Sequence, residues 1–245
     1  MSVLPRPAFP TYEIVIPSLK KKVKYRPYLT KEEKVLSIAF ESEDISEITN
    51  AVKLVLQNCI QTKDIDVEKL STFDIEYLFL NIRAKAVGEE LKLNVLCPDS
   101  EEDDPVYAEV EININDIKVK ETKGHTNIIK VDDDLTMIMK YPTFDYFIKE
   151  QFEMPQDSKG QYEISYDLVS ECVDKICKGE DIWTAEDVGK EEIIDFLGDL
   201  TSAKFKLIQE FLETMPKLEH EVEVVNPKTE KKSKVILSGI VDFFI

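Results

Sequence analysis

Within the first third of this chain the spacing of apolar residues changes period, and that change limits what the chain can fold into. Residues 11–16 and 23–29 alternate apolar and polar side chains on either side of a turn at Pro17-Ser-Leu-Lys-Lys-Lys22. Such alternation suits strands with one covered face, so residues 11–29 are expected to form a β-hairpin with a basic turn. Past Lys31 the period lengthens. Val35, Leu36, Ile38, Ala39 and Phe40 mark a first helix, and Ile48, Ala51, Val52, Val55, Leu56 and Cys59 mark one face of a second. A third helix is expected from a capping region at Ser71-Thr-Phe-Asp74 to Gly88, with Ile75, Leu78, Phe79, Ile82 and Ala86 facing the core.

Alternation returns at residues 89–96 and 106–114, which flank a charged, proline-bounded turn at 97–105. Two further strands are expected at 127–131 and 135–141, paired across Asp132-Asp-Asp134. The region reads as an antiparallel sheet with one wet face. From Thr143 the helical period resumes. Phe144, Phe147, Ile148 and Phe152 form one stripe, and Leu168, Val169, Cys172, Val173 and Ile176 place a helix over 164–178. Helices are also expected at 191–197 and at 203–215, the latter through Phe205, Ile208, Phe211, Leu212 and Met215. Residues 218–225 and 234–237 then form a last hairpin around Asn226-Pro-Lys-Thr229, followed by an apolar tail at 241–245. The expected fold class is α+β: an N-terminal β-hairpin with a small helical bundle, a central antiparallel sheet, C-terminal helices and a terminal β-hairpin. The corresponding segments are 1–88, 89–142 and 143–245.

Charge narrows the function classes. The 245 residues carry 49 acidic and 31 basic side chains, a net charge of −18. A field of that sign repels a phosphate backbone, so nucleic acid is not an expected partner. Residues 1–34 run against the trend with a local charge of +5, which leaves −23 for the rest. No apolar run is long enough for a membrane span, and the start of the chain lacks the apolar core of a signal peptide. Cys59, Cys97, Cys172 and Cys177 show no disulfide-like spacing, which fits a cytosolic chain with reduced thiols.

Chemistry-bearing patterns are sparse. His125 and His220 are the only histidines, and no nucleophile elbow, phosphate-binding loop or dinucleotide fingerprint is present. His220 alternates with Leu218 and Val222 and is expected on a sheet. Cys59 lies on the core stripe of its helix and is expected to be a buried hydrophobe. The clusters 101–104 and 132–134 lack the spacing of a calcium loop and are expected to be solvated. The turns at 97–105 and 226–230 have the outline of zinc knuckles. Four ligands cannot be assembled from them, because only Cys97 is present in the first and no cysteine in the second. The expectation is no catalytic residue, no cofactor and no metal site. Interaction chemistry is more promising: Lys20, Lys21, Lys22, Lys24 and Arg26 make an electrostatic patch, and Phe243 and Phe244 are candidate apolar anchors. Tyr25 and Tyr28 lie beside the basic residues as further candidates, while Trp183 is expected to complete a core.

The order Pro10-Thr-Tyr-Glu13, Pro17-Ser18, Lys24-Tyr-Arg-Pro-Tyr28, Lys31-Glu-Glu-Lys34 and Glu41-Ser42 resembles the start of the T-even-like phage baseplate hub assembly proteins. Later pieces resemble the family as well: Phe73-Asp-Ile-Glu-Tyr-Leu-Phe79, Ile82-Arg-Ala-Lys-Ala-Val-Gly88, Met139-Lys-Tyr-Pro142, Met215-Pro-Lys-Leu218 and Phe243-Phe244. Where relatives of this kind carry cysteine knuckles in the hairpin turns, this chain departs. The resemblance implies a non-enzymatic factor that promotes assembly of the baseplate central hub through contacts with hub proteins. It would act in the host cytoplasm or reside in the virion tail. Two other classes fit the composition: a metal-dependent hydrolase using the acidic loops, and an acidic DNA mimic that inhibits a host protein.

Overall fold

A computed structural model describes residues 7–42, 44–101, 103–146 and 166–244. Their contacts divide the chain into two compact units, Met1–Lys120 with Lys217–Ile245, and Glu121–Pro216. Helices and antiparallel sheets alternate along the chain as the α+β reading requires.

The first unit opens with the hairpin. Strand β1 (Tyr12–Ile16) pairs antiparallel with β2 (Lys21–Tyr25), Tyr12 opposite Tyr25 and Ile16 opposite Lys21. Three helices follow: α1 (Thr30–Ser42), α2 (Ile45–Cys59) and α3 (Thr72–Val87). Helix α2 starts at Asp44, whose carboxylate accepts the Glu47 amide at 3.0 Å, and it buries every residue of the expected stripe, Cys59 included. Helix α1 buries only Glu32, Leu36 and Ala39, leaving Val35 and Ile38 exposed.

Helix α3 departs from the one-faced helix that periodicity suggests. Beyond Ile75, Leu78, Phe79 and Ile82 it also buries Phe73, Leu80, Ala84 and the polar Thr72, Asp74 and Glu76. The cause is that neighbours approach from several sides: α2, β1, and the strands and terminal helix described next. A helix enclosed in this way is apolar around most of its girth.

Two sheets complete the unit. Strands β3 (Glu90–Leu96) and β4 (Tyr107–Asn113) form one antiparallel pair. The other sheet has the order β11-β10-β5, built from β5 (Lys118–Lys120), β10 (Lys217–Val225) and β11 (Lys232–Ser238). The chain ends in α8 (Gly239–Phe244). Leu80 and Ala84 of α3 share a core with Leu91, Ala108, Val222 and Phe243.

In the second unit β6 (Ile128–Lys130), β7 (Leu135–Met139), β8 (Val173–Lys178) and β9 (Asp181–Thr184) form one antiparallel sheet in that order. Helices α4 (Tyr166–Cys172), α5 (Ala185–Val188), α6 (Lys190–Gly198) and α7 (Ser202–Thr214) accompany it. Met137, Met139, Val169, Cys172, Leu197, Ile208 and Phe211 make the core. The single helix expected over 164–178 is corrected here: it stops at Cys172, and the next six residues are β8. Val173 and Ile176 satisfy helical spacing, yet they pair with Met139 and Met137 of β7, and Gly179 at φ +61° turns the chain into β9. Phe147, Ile148 and Phe152 lie outside the described residues, while Phe144 is buried.

Asp74 joins the hairpin turn to α3. It is fully buried; its carboxylate accepts from the Ser18 amide at 2.9 Å, from the Ser18 hydroxyl, and from the Ser71 hydroxyl at 2.6 Å. Ser71 therefore donates to Asp74 rather than capping α3 through its own oxygen. Burial pushes the Asp74 carboxyl up, against hydrogen bonds that favour its charged form. Replacing Asp74 with alanine strands three donors near the core and should destabilise this region by about 2–3 kcal/mol. The expected readout is roughly 30- to 150-fold faster hydrogen exchange at α3 amides. Unchanged exchange would show that the hairpin docks without this carboxylate.

Candidate partner-binding surface

The hairpin register sorts its side chains by face. Ile16, Val23 and Tyr25 point into the core, so Glu13, Val15, Lys22 and Lys24 lie on the outer face. The turn adds Leu19 and Lys20, and the apolar members of the surface are well exposed, Val15 by 45% and Leu19 by 55%. Lys20 holds φ at +50°, a left-handed conformation that a non-glycine residue adopts at a cost of about 1 kcal/mol. Lys21 is half-buried and donates its Nζ to the Asp64 carbonyl at 3.2 Å. Lys22 pairs with Glu13 at 3.0 Å, and that hydrogen bond holds the Glu13 carboxyl below its ordinary value.

The hairpin is anchored along its second strand. The Gln61 amide donates to the Lys24 carbonyl at 2.8 Å, the Lys24 amide to the Thr62 hydroxyl at 2.9 Å, and the Arg26 amide to the Cys59 carbonyl at 3.0 Å. The basic residues are thus displayed on backbone fixed to the end of α2.

Three of the five expected basic residues, Lys20, Lys22 and Lys24, share this surface; Lys21 lies on the face of Ile16 and Val23, and Arg26 turns away altogether. Its guanidinium turns inward and donates to Glu32 at 2.9 and 3.3 Å and to the Pro27 carbonyl at 2.8 Å. Glu32 also accepts the Leu29 amide at 2.7 Å, which makes it the polar centre of the α1 entry. Burial by itself would raise the Glu32 carboxyl, but the hydrogen bonds from Arg26 and Leu29 outweigh it and hold it below its ordinary value.

Other expected residues fall elsewhere. Phe243 is fully buried in the core of the first unit, because α8 folds back beside α3 and β3, so this side chain is corrected from surface anchor to core residue. The Phe244 side chain lies outside the described residues. Tyr25 is buried against Tyr12, ring centroids 5.7 Å apart, with its hydroxyl pushed up to about 12 chiefly by burial. Trp183 reverses the expectation of a core side chain: on edge strand β9 it is 42% exposed beside the exposed Ile182.

The acidic loops are engaged in ion pairs. Asp132 meets Lys204 at 2.5 Å. The turns at 97–105 and 226–231 are clasped together: Asp99 accepts from Asn226 at 3.0 Å and Thr229 at 2.7 Å, and Asp104 pairs with Lys228 at 2.5 Å. Among the described residues no three His, Cys, Asp or Glu side chains converge to hold a metal ion. Cys59 is buried and its thiol is raised to about 11, chiefly by burial.

His125 has both ring nitrogens occupied, with Thr214 Oγ1 on Nδ1 and Tyr141 OH on Nε2, each at 3.0 Å. Thr214 spends its own proton on the Glu210 carbonyl at 2.5 Å, so His125 Nδ1–H donates to Thr214 and Nε2 accepts from Tyr141. That is a neutral imidazole stacked on Phe211 and Tyr141, and burial lowers its basicity further. A ring so engaged has no free lone pair for proton abstraction.

The sequence model of one family, described as T4 bacteriophage base plate protein, matches residues 9–245. No curated protein and no solved structure matches the chain. Among the described residues no helix is long and apolar enough to cross a membrane.

The Arg26–Glu32 pair has a pH signature. Because the folded-state Glu32 carboxyl titrates below its ordinary 4.5, its stabilisation is present above that value and is lost as pH falls through the folded one. Glu32→Gln should cost about 2–3 kcal/mol at pH 7, somewhat under a fully buried pair because Arg26 keeps partial solvent contact. In urea unfolding followed by far-ultraviolet circular dichroism, the gap between wild type and variant should close as pH drops below 4.5. A gap constant with pH would mean that the charge of Glu32 contributes nothing.

Proposed function

The chain belongs to the family of T4 bacteriophage base plate proteins, and on that premise we propose that it promotes assembly of the baseplate central hub by direct contact with hub proteins. The observation that carries the reading is the family match, which runs from the first hairpin to the end of the chain. A non-enzymatic role is consistent with where the reactive side chains lie. His125 is locked in a neutral, stacked position, Cys59 and Cys172 are buried with raised thiols, and each acidic loop has one carboxylate paired with a lysine.

The contact is proposed to run through the outer face of the β1–β2 hairpin. Lys20, Lys22 and Lys24 surround the exposed Val15 and Leu19, a combination that suits an acidic partner surface with an apolar centre. A basic face on a chain of net charge −18 also orients the encounter, since an acidic partner is attracted at the hairpin and repelled by the remainder. The site of action is proposed to be the infected host's cytoplasm, with retention in the tail baseplate as the second possible destination.

An affinity pull-down of the tagged chain from phage-infected cells, read by mass spectrometry, should recover baseplate hub proteins. Changing Lys20, Lys21 and Lys22 together to glutamate should weaken recovery about tenfold or more while leaving the circular dichroism spectrum unchanged. Recovery of host nucleic-acid enzymes instead would favour the DNA-mimic class. Undiminished recovery by the triple variant would return the turn to an ordinary solvated loop.

A further inference from the structure

The hairpins of the first unit leave two strand edges open onto one groove. In the β3–β4 ladder the Cys97 amide donates to the Val106 carbonyl and the Ile114 amide to the Glu89 carbonyl, both at 2.8 Å, which fixes the phase of the pairing. Even-numbered residues of β4 therefore turn their backbone groups toward β3, and Tyr107, Glu109 and Glu111 turn theirs away. Among the described residues no strand pairs with β4 on that side.

Strand β10 is open in the same way. The Asn226 amide donates to the Lys231 carbonyl at 3.0 Å, so even-numbered residues face β11 and odd-numbered ones face the side of β5. Strand β5 pairs only with Lys217–Glu219, leaving the backbone groups of Glu221, Glu223 and Val225 with no strand opposite among the described residues. The groove holds about 410 Å³, with residues 107–111 along one wall and Glu223, Val225 and Pro227 along the other. All five consecutive positions of β4 line it, as a strand edge does and a strand face does not.

We propose that this groove receives an extended segment of another protein, which adds as a strand along β4 and carries lysine or arginine at alternate positions. Main-chain hydrogen bonds to Tyr107, Glu109 and Glu111 would supply the pairing, as in other strand-addition complexes. The carboxylates choose the occupant. Glu109 and Glu111 are exposed and carry no ion pair among the described residues, and Glu223 stands on the opposite wall, paired with the solvent-exposed Lys232 at 2.9 Å. Tyr107 and Val225, 54% and 45% exposed, add apolar surface beside the carboxylates for the stems of the basic side chains. A second copy of this chain is disfavoured, because edge-to-edge β4 pairing would set glutamates directly against glutamates. The inference uses no part of the hub reading, whose contact lies on the hairpin face, so the two stand or fall separately.

The test uses the full chain and four fluorescein-labelled seven-residue probes of three kinds, read by anisotropy. One alternates lysine with valine, one alternates glutamate with valine, and the third is the lysine probe N-methylated at alternate residues, made in both phases. The lysine probe should bind at least about tenfold tighter than the glutamate probe, and at least one methylated phase should lose binding by a similar factor. Bound probe should slow hydrogen exchange at the amides of Tyr107, Glu109 and Glu111, and Glu109→Lys with Glu111→Lys should weaken binding about tenfold. Undiminished binding of both methylated phases, or unchanged exchange at those three amides, would reduce the interaction to charge attraction and overturn strand addition. Failure of every probe to bind would overturn the proposal as well.

Discussion

The first unit depends on a helix that is buried on nearly every side. Helix α3 is approached by α2, by β1 and by the strands and helix of the C-terminal segment, so it has little wet face on which to place polar residues. The Asp74 carboxylate at its N-terminal end must therefore be satisfied internally, because an unpaired buried acceptor costs more than the hydrogen bond it replaces would contribute. Asp74 meets that demand by drawing Ser18 and Ser71 onto its two oxygens. The same requirement positions the hairpin: where Ser18 goes, the basic turn that follows it must go. One desolvated carboxylate thus links the packing of the core to the placement of a charged surface.

Arg26 makes the complementary point about charge. A reading based on charge groups it with Lys20, Lys21, Lys22 and Lys24. The structure separates them because arginine's planar fork can satisfy Glu32 and a carbonyl at once, which a lysine cannot do in that geometry. The interior takes the arginine, and Lys22 and Lys24 stay outside. Lysine on an outward-facing strand extends a strongly hydrated charge on a flexible stem, which keeps the charge in water while the stem covers apolar surface.

Much of the architecture was legible in the sequence because it follows from local periodicity. The α2 stripe from Ile48 to Cys59 and the strands around 97–105 and 226–231 depend on residues close in sequence. What was not legible depends on partners far away. Val173–Lys178 satisfies a helical spacing as well as a strand spacing, and only the presence of β7 on one side and β9 on the other decides the matter. Strand β5, three residues long, has no pattern of its own and exists because β10 lies beside it, nearly a hundred positions later. For the basic residues, charge alone could not tell the inward Arg26 and half-buried Lys21 from the outward Lys22 and Lys24. Hydrophobicity could not tell the buried Phe243 from the exposed Trp183, since an aromatic side chain serves a core or an interface equally well.

The two charged turns show how a loop that looks like a ligand site can serve as a joint. Asp99 and Asp104 sit in one turn, Asn226, Lys228 and Thr229 in the other, and their hydrogen bonds and ion pair tie the β3–β4 connection to the β10–β11 connection. The Thr229 and Lys228 contacts are exposed and individually modest, the Asn226 one is part-buried, and together they fix the ends of two hairpins that share a core but are not in one sheet. Holding those ends together keeps β4 and β10 beside each other without joining them. The fold therefore maintains an open edge as a feature of its geometry, and the glutamates along that edge keep copies of the chain from closing it on themselves.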